Sequence, residues 1–189
     1  MTLLSESSFS ETALAQGAPA STARTLAAVS DEPAHVRGAF GRFPSGVAAI
    51  CASIDDRPVG LVASSFSVGV SYSPPMVMFS VQNSSTTWPV LEGAGRLGVS
   101  ILGGDHSDAC MQLASRSRDR FAGLETTTTD AGALFIDGST MWLDCSIVST
   151  TPAGDHRIIV MEVHGMSIDH DTHPLVYQQQ RFHRLSGLG

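Results

Sequence analysis

Apolar positions recur at two different periods along this chain, and the change falls near residue 44. Val36, Ala39, Phe40 and Phe43 sit at i, i+3, i+4 and i+7, which predicts a helix over 34–43 with one apolar face, closed by Pro44-Ser45-Gly46. Beyond it the apolar residues come in strand-sized runs at 47–53, 59–63, 76–82, 97–102, 141–149, 156–168 and 181–185. The turn Asp55-Asp56-Arg57-Pro58 joins the first two as a hairpin. Short helices fit 87–92 and 106–115. Closely spaced strands without alternating helices favour a closed or half-closed antiparallel barrel over a doubly wound sheet. Residues 1–33 hold four acids, one base and scattered apolar positions. They read as a mobile tail with transient helix near 22–29, ahead of one domain over 34–189.

Composition narrows the class. At 189 residues the chain is one domain long, with 42% apolar and 15% charged residues. A net charge of −7 without a Lys/Arg patch argues against nucleic acid or an anionic membrane as partner. Cys51, Cys110 and Cys145 are odd in number, far apart and without a CxxC, so neither a disulfide framework nor a zinc site is expected. A reducing cytoplasmic setting follows from that usage. No apolar run approaches the roughly 18 residues of a membrane span, and the N-terminus lacks the pattern of a secretory signal.

Candidate chemistry lies in hydroxyl clusters at element ends. Ser64, Ser65 and Ser67 follow an apolar strand and read either as a hydroxyl-rich bend that binds a ligand or as a plain edge strand with a Ser-rich turn, stopped by Pro74-Pro75. A second cluster, Ser84-Ser85-Thr86-Thr87, opens the helix expected at 87–92. One helix cap needs a single hydroxyl; four in a row suit a phosphate held by hydroxyls and free N–H groups. Gly154-Asp155-His156 precedes a long strand, either as a plain turn or as an imidazole presented to a nucleotide. Arg116, Arg118 and Arg120, beside Phe121, are by default a solvated charge run, though they could meet a diphosphate. Arg181 and Phe182 sit in a terminal hairpin whose aromatics are either core or pocket wall. His164, His170 and His173 have no fixed carboxylate or cysteine companion, and no metal site is assigned. The absence of GxGxxG, Walker and GxSxG motifs disfavours Rossmann nucleotide binding and serine hydrolysis.

Taken in order from Val36 to Leu185, these pieces resemble the flavin reductase-like family of small NAD(P)H:flavin oxidoreductases. The carrying stretches are 37–47, Ala63-Ser64-Ser65-Phe66-Ser67 through Pro75, the hydroxyl cluster, Asp119-Arg120-Phe121-Ala122-Gly123, Gly154-Asp155-His156 and Tyr177 through Phe182. The resemblance implies a mainly β, antiparallel Greek-key split β-barrel with a few short peripheral helices, and a homodimer. It implies FAD or FMN as flavin, and NADH or NADPH as co-substrate. A separate monooxygenase would be served by diffusible reduced flavin. Ser64, Ser65, Phe66 and Ser67 would meet the flavin ring, and Ser84, Ser85 and Thr87 its phosphate. His156, with Asp155, would face the nicotinamide as the catalytic residue, and Arg181 and Phe182 would border the same pocket. Thr86 stands where many relatives carry Lys or Arg, so one positive phosphate partner is missing from the loop. The competing readings are a flavin-carrying protein without reductase turnover and a flavin-free interaction module.

Overall fold

The computed structural model describes residues 25–185. The chain enters through helix α1 (Pro33–Phe40) and is then mostly strand. The first five strands are β1 (Ser45–Gly46), β2 (Ala48–Ile54), β3 (Arg57–Ala63), β4 (Ser67–Tyr72) and β5 (Pro75–Gln82). After the one-turn helix α2 (Trp88–Leu91) come β6 (Leu97–Ile101) and α3 (Ser107–Leu113). Two short strands follow, β7 (Thr126–Thr128) and β8 (Leu134–Ile136). The chain closes with β9 (Met141–Ala153), β10 (His156–Ile168), β11 (Leu175–Gln178) and β12 (Arg181–Arg184). Seven strands form one antiparallel sheet in the order β3-β2-β6-β9-β10-β5-β4, and β1-β11-β12 and β7-β8 form two smaller ones. The expected mainly β, antiparallel architecture holds.

Burial explains the strands. Along β2, Ala48, Ile50 and Ala52 face one core with Phe79, Leu97, Leu143 and Ile159. Ala49 and Cys51 face the other, with Leu102, Leu113, Leu134 and Ile136. A strand covered on both sides needs a continuous apolar run, which is what 47–52 is. Each of these large aliphatic side chains contributes about 1.5–3 kcal/mol on leaving water. The β2–β3 loop has only two residues, Asp55 and Asp56, at φ +50° and +59°. Two left-handed residues match the right-handed twist of a hairpin, and short acidic side chains tolerate that region. The expected four-residue turn is thus shorter, with Arg57 and Pro58 already in β3. Pro58 is accommodated because β3 is a sheet edge.

Of the two readings of the stretch after Ser65, the edge strand holds: Ser67–Tyr72 is β4, paired with β5 and irregular around Gly69, whose φ is +73°. Its serines point partly inward, while Val68, Val70 and Tyr72 are exposed. The first helix ends at Phe40 instead of Phe43, and none of its residues is buried. Its expected core face, Phe40 and Phe43, is about three-quarters exposed at 75% and 76%. Of the expected tail, 1–24 lies outside the described residues, and 25–32 carry no helix. Among the described residues no helix is long and apolar enough to cross a membrane.

All three cysteines are buried and free. Burial pushes the thiols of Cys51 and Cys145 up to about 12 and that of Cys110 up to about 11.

Gly98 in β6 lies directly under β8, where a Cβ would overlap the Leu134 carbonyl group. A backbone carbonyl cannot step aside as a side-chain tip can. Gly98→Ala is expected to cost roughly 3 kcal/mol, the upper end of an overpacking penalty. That lowers the melting temperature by roughly 6–12 °C for a domain of this size. Gly95→Ala, with no atom within 4 Å of the new carbon, should stay within a degree or two in the same scanning calorimetry.

Candidate functional site

The two edges of the large sheet approach each other where β3 ends. Ser65 Oγ donates to Ser80 O and accepts from Ser80 N, both at 3.0 Å, so one side chain does the pairing a neighbouring strand residue would do. Beside this seam lies a cavity of about 470 Å³. One wall is the end of β3 with Ser64 and Ser65; another is the end of β5 and the loop Ser84–Thr87. The loop after α3 contributes Arg116 and Arg120, and His156 closes the far side.

The hydroxyl loop is held in a donor configuration. Ser85 Oγ accepts from Trp88 N at 3.1 Å, and Thr87 Oγ1 accepts from Arg120 Nη1 at 2.7 Å. A hydroxyl whose oxygen is already accepting keeps its own O–H to give away. The helix behind the loop spans only four residues, so the expected macrodipole assistance is small. The positive charge comes from the two arginines instead. Among the described residues no Asp or Glu lines the cavity, and neither arginine has a salt-bridge partner. In a chain of net charge −7, this is a local cationic site that fits a phosphate-bearing ligand.

His156 is positioned by its hairpin. Gly154 and Asp155 form the two-residue β9–β10 loop, with Gly154 at φ +64°. Asn83 ties the loop to the end of β5: its N–H donates to Asp155 O at 2.9 Å and its Nδ2 to Gly154 O at 3.2 Å. The Asp155 carboxylate, 90% exposed, sits 2.7 Å from His156 Nδ1. That hydrogen bond, with the nearby imidazole charge, holds the Asp155 carboxyl below its usual range. With Nδ1 engaged, Nε2 is the ring nitrogen left for a ligand.

The structure therefore brings together Ser64, Ser65, Ser84, Ser85, Thr87 and His156. It does not bring the remaining expected residues to the cavity. Phe66 packs on the first core, and Ser67 pairs with Met78 in the sheet. Asp155 reaches the site only through His156. Arg181 is exposed on β12, and Phe182 packs on Tyr177 with ring centroids 5.3 Å apart. Phe182 borders a separate cavity of about 250 Å³ near the Asp105–Arg184 ion pair. Ser65 also has a different role: its hydroxyl is consumed by Ser80, so only its backbone is free for a ligand. Among the histidines left without a metal assignment, His164 shares a hydrogen with Ser146 Oγ at 2.7 Å.

Arg116 and Arg120, read by default as a solvated charge run with a diphosphate contact as the alternative, both line the cavity. The adjacent Phe121 was the available signal: it packs into the second core, which anchors the loop. Gln112 Nε2 fixes the same loop by donating to the carbonyls of Asp119, Arg120 and Ala122 at 3.4, 3.3 and 2.8 Å.

A family model described as a flavin reductase-like domain matches residues 40–186. The chain is 38% identical to the actinorhodin polyketide dimerase of Streptomyces coelicolor, over 78% of this chain and 83% of that one. It is 34% identical to a flavin reductase of Pseudomonas putida, covering 77% and 86%. A third relative, the flavin-dependent monooxygenase reductase subunit HsaB of Rhodococcus jostii, is 31% identical, covering 83% and 80%. In structure the chain is similar to the NADH:FAD oxidoreductase SgcE6 of Streptomyces globisporus, solved with NAD and FAD fragments. There the TM-score is 0.78 at 28% identity, covering 85% of this chain and 98% of that one.

Ser65→Ala removes the seam bond and leaves two Ser80 backbone groups without their partner. The expected loss is about 1–2 kcal/mol, or roughly 2–8 °C in melting temperature by scanning calorimetry. An unchanged melting temperature would show that the seam does not need Ser65.

Proposed function

The chain belongs to the flavin reductase-like family and is an NAD(P)H:flavin oxidoreductase, and we propose that the seam cavity is where flavin and nicotinamide meet. Bound flavin supplies a two-electron acceptor that takes hydride from the dihydronicotinamide. The observation that carries the assignment is the cavity's charge and donor pattern. Ser85 and Thr87, whose oxygens already accept, keep hydroxyl hydrogens to donate beside a space with two arginines and, among the described residues, no carboxylate. A flavin phosphate meets those demands, and the backbone of Ser64 and Ser65 is left to border the flavin ring. His156 contacts the nicotinamide half through Nε2, while Asp155 fixes its ring orientation. The protein's work is then alignment: holding two flat rings close enough for transfer can contribute several kcal/mol without a protein acid or base.

Reduced flavin made in an open cavity of this kind leaves for a separate flavin-dependent monooxygenase. The reductase-subunit name of the Rhodococcus relative supports that assignment. FAD and FMN both fit the donor pattern, because it reads the phosphate shared by the two.

A homodimer is part of the proposal. Strand β4 is inside out, with serines toward the sheet and Val68, Val70 and Tyr72 exposed at 60%, 41% and 89%. An apolar stripe on an unpaired edge strand favours cover by a second copy.

Purified protein in air should consume NADH or NADPH at a rate that depends on added free flavin. Tight flavin binding with no such turnover would favour the flavin-carrying alternative, and no flavin uptake would favour the interaction module. His156→Ala should lower kcat/KM for the nicotinamide co-substrate by about 10–100-fold, the range of one lost charge-assisted contact. Flavin affinity should stay within about twofold, and equal loss of both would refute the division of roles. The Ser85→Ala, Thr87→Val double variant should raise the flavin dissociation constant by about tenfold or more in a fluorescence titration. Replacing Val68 and Tyr72 with Asp should shift the sedimentation coefficient from dimer to monomer; an unchanged dimer would place the interface elsewhere.

A further inference from the structure

One guanidinium joins three parts of the site. Arg120 Nε donates to Ser115 O at 2.7 Å, and its Nη1 donates both to Gly60 O at 2.8 Å and to Thr87 Oγ1 at 2.7 Å. The loop after α3, strand β3 and the hydroxyl loop therefore share a single cation. No ligand is needed to place it. Gln112 pins the carbonyls around it, and Phe121 N donates to Asp119 Oδ1 at 3.0 Å. Phe121 lies against Gly60, where a Cβ would come within 2.8 Å of its ring and 2.5 Å of Cys51 Sγ. Gly60 is thus what lets β3 come close enough for its carbonyl to receive Arg120.

The bond to Thr87 has a direction. A guanidinium only donates, so Thr87 Oγ1 must accept, and its hydroxyl hydrogen is left to donate to a ligand. The positive charge stands 2.7 Å from that hydroxyl oxygen. Thr86, the neighbouring position, is neutral and supplies no charge from the loop itself.

We propose that Arg120 is the positioning residue that makes this reductase select phosphate-bearing flavins over riboflavin, acting through Thr87. The proposal rests on the assignment of Thr87 to the flavin phosphate. Its charge and the hydroxyl it orients form one unit, so removing either removes the same preference.

The test is a set of binding titrations with oxidised FMN and riboflavin, followed by flavin fluorescence. They use the full chain carrying Arg120→Gln, Thr87→Val, both changes, or Arg120→Lys. The unsubstituted protein should prefer FMN by about 10–100-fold, the range of a charge-assisted contact. Arg120→Gln should lose most of that preference while its riboflavin affinity stays within about twofold. Adding Thr87→Val should then cost little more, because the two groups act as a unit. Arg120→Lys keeps the charge without the planar fork and should fall between. Equal weakening of FMN and riboflavin would reduce Arg120 to a structural brace and overturn the proposal. Multiplicative losses in the double variant would overturn it as well, by making Arg120 and Thr87 independent. If Arg120→Gln does not fold, Arg120→Lys takes its place in the same cycle, under the same non-additivity requirement. A parent protein that binds riboflavin as well as FMN would defeat the phosphate assignment itself, and is thereby distinguishable from failure of Arg120 alone.

Discussion

The site depends on a strand pairing made by a side chain. An open antiparallel sheet has two edges, and in this fold the end of one edge strand, β3, must be brought to β5 across a gap. Ser65 does so with both of its hydrogen-bonding capacities, one to each backbone group of Ser80. Net, two such bonds are worth about 1–2 kcal/mol. Their positional effect is larger. They set the distance between the β3 carbonyls and the hydroxyl loop, and so decide whether Arg120 can reach Gly60 and Thr87 at once.

Both halves of the site hang from the end of β5. On one side the chain runs into Ser84–Thr87; on the other, Asn83 holds the Gly154-Asp155 turn that presents His156. The groups assigned to the flavin phosphate and to the nicotinamide are therefore fixed to the same few backbone atoms. That suits a reaction whose rate is set by the spacing of two rings. The local charge runs against the chain's overall charge. A net charge of −7 disfavours polyanions in general, while at the cavity two arginines stand without a carboxylate partner among the described residues, as the proposed phosphate site requires.

Much of this was legible in the residues, and the failures have physical causes. The core strands were readable because burial on one face or two leaves an alternating or continuous apolar run, as in β2. The β9–β10 hairpin was readable from Gly154, which its loop needs at positive φ. Strand β4 stayed open between a bend and an edge strand because an inside-out edge strand offers serines and glycine where a strand usually offers its core residues. The face of α1 was read as core because periodicity reports amphipathicity without naming what covers it; Phe40 and Phe43 are left bare within this chain. Strands β1, β7 and β8 are two or three residues long, too short to carry a period. At the site, the clustered hydroxyls were visible, but their division of labour was not. Nothing local distinguishes Ser65, spent on the seam, from Ser85, free to donate. Arg120 was legible only as a charge that could meet a diphosphate; its bracing of Gly60 and Thr87 was not, because they lie 60 and 33 residues away in sequence.

The buried cysteines bear on how long such a catalyst survives its own product. Reduced flavin that misses its monooxygenase reacts with oxygen and yields peroxide close to where it was released. Peroxide attacks thiolates far faster than thiols. At neutral pH, thiols pushed up to about 12 at Cys51 and Cys145 and about 11 at Cys110 hold almost no thiolate, and all three lie out of solvent. The fold keeps its three thiols chemically silent toward that peroxide and leaves the thioethers of Met111 and Met166, exposed at 67% and 63%, as the sulfur that meets it first.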